Sequence, residues 1–172
     1  MIKQIPYGLT DFGRIQKENY YYVDKTMFIE KIEMQPSYLF LIRPRRFGKS
    51  LTLAMLEAYY DVRYADQFDE LFGHLYIGQH PTPIHNQFLI MRFNFSEVSS
   101  NVNEVEESFR LHCCGKLSDF VYRYEHLLGK DIWNVLDEKT QADPGAFLSS
   151  INTYATRKGC LLYTSPSPRD RG

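Results

Sequence analysis

Three consecutive residues, Gly48, Lys49 and Ser50, carry the clearest chemistry in this 172-residue chain. A glycine lets the backbone come close to a phosphate, because no Cβ stands in the way. A lysine directly after it can bring an ammonium to the β- and γ-phosphates, and the next hydroxyl is placed to hold Mg²⁺. Arg43, Arg45 and Arg46 stand just upstream in RPRRFGKSL, Arg43 to Leu51. Arginine contacts to phosphate are charge-assisted and can be bidentate. The usual spacing of a phosphate-binding loop is G-x-x-x-x-G-K-[ST]. Here Arg43 replaces the first glycine, and Pro44 after it has no N–H to donate. The start of the loop must therefore differ in shape from the usual one. The nucleotide-contacting set read from this stretch is Arg43, Arg45, Arg46, Phe47, Gly48, Lys49, Ser50 and Leu51, with Ser50 also on the metal.

Such a loop has to be presented by a strand before it and a helix after it. Tyr38-Leu39-Phe40-Leu41-Ile42 is a continuous apolar run of strand length, the pattern of a strand buried on both faces of a parallel sheet. A helix is expected from Lys49 to about Asp61, with Leu51, Ala54, Met55, Ala58 and Tyr59 on the face that packs on that sheet. Residues 88–95 read as a second strand and residues 20–23 as a small one. Asp24 is expected to cap a helix reaching about Met34. Further helices are expected around residues 66–72, over about 102–128 with Gly115 as a candidate break, and from Asp131. Asp143-Pro144 marks one more helix start, running to about Lys158. The expected fold class is α/β, a P-loop NTPase-like parallel sheet flanked by helices.

The formal net charge is -1, so the molecule as a whole is no polyanion binder, and any attraction for phosphate must be local. Two other readings of the loop remain open: a solvated basic turn ahead of an ordinary helix, or a basic loop that grips nucleic acid backbone. Cys113, Cys114 and Cys160 form no CxxC pattern and read as reduced thiols, consistent with a cytoplasmic protein. The five histidines lack any short metal spacing. No apolar leader precedes the first polar residues and no run approaches eighteen apolar residues, so neither a signal peptide nor a membrane span is expected.

Two motifs together carry a family resemblance. Tyr22-Val23-Asp24-Lys25-Thr26 followed by Arg43–Leu51, within IPYGLTDFGRIQKENYYYVDKTMFIEKIE and YLFLIRPRRFGKSLTLAMLEAYYD, resembles the AAA-ATPase-like family of bacterial and archaeal proteins. Members often carry a PD-(D/E)XK nuclease-like domain toward the C-terminus. The family's loop tends to lack the first glycine, so Arg43 counts as a shared trait. The resemblance implies ATP and Mg²⁺ as ligands, with Gly48, Lys49 and Ser50 at the nucleotide. It also implies an acidic Walker B strand after residues 143–158 and a possible DNA partner through the nuclease-like domain. Residues 160–170, CLLYTSPSPRD, resemble instead the translation of a transposase-type sequencing adapter. Residues 1–159 are therefore expected to be the N-terminal part of an AAA-ATPase-like domain, and 160–172 a non-native tail. A chain recorded this way is expected to bind nucleotide weakly and to hydrolyse it poorly without the Walker B carboxylates. A degenerate P-loop serving only in assembly is the remaining alternative.

Overall fold

Asp11 opens the first helix, its carboxylate accepting the Arg14 N–H at 3.0 Å to cap α1 (Phe12–Lys17). The computed structural model describes residues 3–35, 38–42, 44 and 47–158, and the chain divides into two compact units, residues 1–88 and 89–172. The first unit continues with α2 (Phe28–Glu33), α3 (Lys49–Tyr60), α4 (Phe68–Phe72) and α5 (Tyr76–Gln79). Asp61 ends α3: its backbone turns extended, and its carboxylate accepts the Arg63 N–H at 2.9 Å to start a 3-10 turn over Val62–Gln67. The expected helix around 66–72 is thus found as the end of this turn and α4.

The core of this unit is built largely from aromatic side chains. Phe12 of α1, Ile29 of α2, Met55, Ala58 and Tyr59 of α3, Phe68, Leu71 and Phe72 of α4, and Ile77 of α5 form one buried cluster. Phe12 and Phe72 lie 5.0 Å apart between ring centroids, and Tyr59 meets Phe72 edge-on at 5.5 Å. The Tyr59 hydroxyl also accepts the Thr82 N–H at 2.8 Å and lies 2.9 Å from the Thr82 hydroxyl. A large ring is buried while its polar end stays hydrogen-bonded.

The parallel sheet expected from the sequence is absent among the described residues. Their one β-bridge pairs Asp61 with Phe88 in the parallel sense, through Val62 N–H to Phe88 O and Phe88 N–H to Tyr60 O. Tyr38–Ile42 has no regular secondary structure, and its side chains are exposed, from 37% at Leu41 to 90% at Ile42. Residues 20–23 and 89–94 form no strand either, and Phe95–Glu97 is a 3-10 turn. The physical reason is that an apolar run becomes a strand only when partners pair with its backbone and cover its faces. The apolar face of α3, expected to lie on a sheet, packs instead on α1 and on the Phe68 and Phe72 rings of α4.

The second unit holds α6 (Val105–Leu128), α7 (Ile132–Val135), α8 (Glu138–Ala142) and α9 (Pro144–Arg157). Asp143 caps α9 by accepting the Ala146 N–H at 2.6 Å, with Pro144 in the first turn, as the dipeptide predicts. α6 packs on α9, and Leu117, Phe120, Val121 and Leu128 of α6 are buried, as are Phe147, Ile151 and Ala155 of α9. α6 runs through Gly115 without a break. Its backbone departs from helical angles at Tyr124 instead (φ -111°, ψ 15°), where the hydroxyl accepts the Ile90 N–H at 2.9 Å. Burial pushes the Cys113 and Cys114 thiols up, favouring their protonated form. Among the described residues, no helix is long and apolar enough to cross a membrane.

Candidate nucleotide site at the start of the third helix

α3 begins without a cap of the ordinary kind. Its N-cap residue is Gly48, in the left-handed region (φ 73°, ψ 18°), and among the described residues no side chain caps the helix. Among the described residues, nothing lies within 4 Å of where a Cβ would sit, and the left-handed backbone angle favours glycine here. A helix start leaves N–H groups without intrahelical partners, and the macrodipole makes that end positive. Together these features suit an anion.

The residues singled out in the sequence are distributed as follows. Lys49 and Ser50 occupy the first two positions of α3, Lys49 half-buried and Ser50 exposed. Phe47 is exposed, and Leu51 packs half-buried against the core of the first unit. The structure thus brings Gly48, Lys49 and Ser50 to one helix end and turns Leu51 inward as its anchor. Arg43, Arg45 and Arg46 lie outside the described residues.

Sequence reasoning missed Thr52. Its hydroxyl donates to the Gly48 carbonyl at 3.0 Å, alongside its own N–H at 2.8 Å. The signal was a hydroxyl four residues after the loop glycine. A fit to metal through protein ligands is not seen: among the described residues, no group of three or more His, Cys, Asp or Glu side chains could hold an ion. The histidines have other company. His74 Nε2 lies 3.0 Å from Gln16 Oε1, the His85 ring is 4.5 Å from that of Phe68, and His112 sits 3.6 Å from Glu97.

Asp24, the acidic residue of the upstream motif, does not cap α2, whose N-cap is Met27 without a side-chain bond. Its carboxylate accepts the Thr26 N–H at 2.8 Å, the Thr26 hydroxyl at 2.7 Å and the Tyr76 N–H at 2.8 Å. The Thr26 hydroxyl in turn accepts the Ile77 N–H at 3.1 Å. Asp24 and Thr26 therefore satisfy the start of α5, across 52 residues of chain. Lys25 between them is exposed.

Burial pushes the Asp24 pKa up, but the Tyr76 and Thr26 donors outweigh it and hold the carboxyl below its ordinary value. A depressed pKa contributes stability above the unfolded value, and that stability is lost as pH falls through the folded one. Asp24→Asn is thus expected to lower the melting temperature at pH 7 and to show a smaller further drop between pH 5 and pH 3 (roughly the carboxylate range) than the wild-type chain. Melting curves that fall in parallel for the two proteins would exclude this role.

A family model described as Predicted AAA-ATPase matches residues 6–162. The chain belongs to that family. The match takes in both the Asp24–Thr26 clasp and the uncapped start of α3. The chain is also similar to an uncharacterized protein in the vnfD 5' region of Azotobacter chroococcum mcd 1, 49% identical over 55 residues. That stretch is 31% of this chain and 11% of the relative's length. No solved structure matches the chain. In this AAA-ATPase family member, a left-handed glycine, a lysine and a serine stand on consecutive residues at one helix end.

Proposed function

We propose that the chain binds ATP with Mg²⁺ at the N-terminus of α3. The observation that carries this reading is the left-handed Gly48 opening a helix that no side chain of the described residues caps, with Lys49 and Ser50 in its first turn. Membership of the Predicted AAA-ATPase family supports the choice of a nucleoside triphosphate as the anion. The backbone of Gly48 and Lys49 and the Lys49 ammonium would hold the phosphates, and the Ser50 hydroxyl would be the protein's ligand to Mg²⁺, which would supply charge neutralisation there. Arg43, Arg45 and Arg46 add positive charge nearby in sequence. The reading is of binding; turnover further requires a group that orients the attacking water.

Titration calorimetry of the full chain with ATP and Mg²⁺ tests it. Lys49→Ala is expected to weaken binding by about tenfold or more, the order of one lost charge-assisted contact. Equal affinity in the two proteins overturns the proposal. DNA affinity that depends steeply on salt and ignores ATP would transfer the basic loop to nucleic acid binding.

A further inference from the structure

We infer that Thr52 is a positioning residue for this site, holding the Gly48–Lys49 peptide in the orientation that phosphate binding needs. The inference rests on the nucleotide reading above. A trans peptide points its C=O and its N–H in opposite directions. The Gly48 carbonyl receives two bonds from one residue, the Thr52 N–H at 2.8 Å and the Thr52 hydroxyl at 3.0 Å. Both draw that carbonyl along α3 toward its C-terminus. The Lys49 N–H of the same peptide is thereby aimed out of the helix start, where an anion would sit.

The need for a second bond follows from glycine. Gly48 reaches φ 73° at no steric cost, but it has no Cβ to disfavour other orientations of the next peptide. Were that peptide to flip, a carbonyl oxygen would face the phosphate and the N–H would turn away. Each such conformer lowers apparent affinity by the fraction of chains unable to bind. The Thr52 side chain counteracts this without touching the ligand. A hydroxyl bonding back to the carbonyl four residues earlier gives an ordinary helix no advantage, and slightly destabilises it.

The test uses the full chain, a fluorescent ATP analogue with Mg²⁺, and four proteins: wild type, Thr52→Val, Thr52→Ser and Lys49→Ala. Thr52→Val keeps the shape and removes the hydroxyl. It is expected to weaken the analogue about three- to tenfold, the order of one net hydrogen bond, with no loss of melting temperature in the absence of nucleotide. Thr52→Ser, which restores the hydroxyl, is expected to bind within about twofold of wild type. Thr52→Val binding as tightly as wild type, while Lys49→Ala loses affinity, overturns the positioning role and leaves the site standing. So does a Thr52→Ser that binds as weakly as Thr52→Val. If Lys49→Ala also binds as wild type, the nucleotide site itself is misplaced and Thr52 falls with it.

Discussion

Tyr59→Ala is expected to cost about 4 kcal/mol, the scale of deleting a large buried ring together with the cavity left behind. Tyr59 is fully buried and reaches Tyr60, Phe68, Phe72 and His85 with its ring. A single domain is stable by only about 5–15 kcal/mol, so a loss of this size consumes much of the stability of residues 1–88. Tyr59→Phe separates the two contributions. It keeps the ring and strips the Thr82 N–H of its partner, while the Thr82 hydroxyl keeps Glu33 at 2.8 Å. That variant should cost about 1–2 kcal/mol, the price of one buried donor left unmet. Amide hydrogen exchange along α3 is the direct measurement, since it reports local opening energies. Strong protection of α3 surviving in Tyr59→Ala would show that the ring is not what holds this helix.

The same residues explain how far the fold could be read in advance. α3 and α9 were legible because their signals are local. An apolar face recurs at helical spacing in Leu51, Ala54, Met55, Ala58 and Tyr59, and Asp143-Pro144 supplies both a cap and a pre-set first turn. The error lay in Tyr38–Ile42. Five apolar residues in a row state that the chain is apolar there, but pairing is a property of other segments and leaves no mark in the run itself. α1 went unread for the opposite reason. Phe12 and Ile15 are too few to show a period, and the helix owes its six residues to the Asp11 cap and to burial against the core. Gly115 is a candidate break in the sequence, yet one glycine costs a helix only about 1 kcal/mol. The buried side chains of Leu117, Phe120 and Val121 hold α6 together just beyond it.

The candidate site divides along the same line. Gly48, Lys49 and Ser50 were readable because residue type and order carry the chemistry. The work of Asp24 was not, since its bond to the Tyr76 N–H joins residues 52 apart in sequence. Thr52 lies between these cases: its distance from Gly48 is a single helical turn, but its meaning depends on Gly48 being left-handed, which only the structure shows.

Asp61→Ala should be the other large loss, about 3 kcal/mol or more, the scale of breaking a buried ion pair from one side. Asp61 is fully buried at the end of α3. Its carboxylate takes the Arg63 guanidinium through Nη2 at 2.6 Å and Nε at 2.9 Å, as well as the Arg63 N–H. Its carbonyl accepts the Asn86 amide at 2.8 Å, which ties the end of α3 to the loop before Phe88. Alanine leaves Arg63, 28% exposed, beside Glu57 at 3.6 Å. The magnitude distinguishes two explanations. If the loss is mainly an uncompensated charge, Asp61→Ala combined with Arg63→Met should recover a good part of it, because apolar replacement of both partners is often near neutral. If it is mainly the lost stop signal for α3 and the lost cap of the 3-10 turn, the double variant should melt no higher than Asp61→Ala. Thermal melts of the three proteins at pH 7 decide between these, and an Asp61→Ala chain as stable as wild type would remove both.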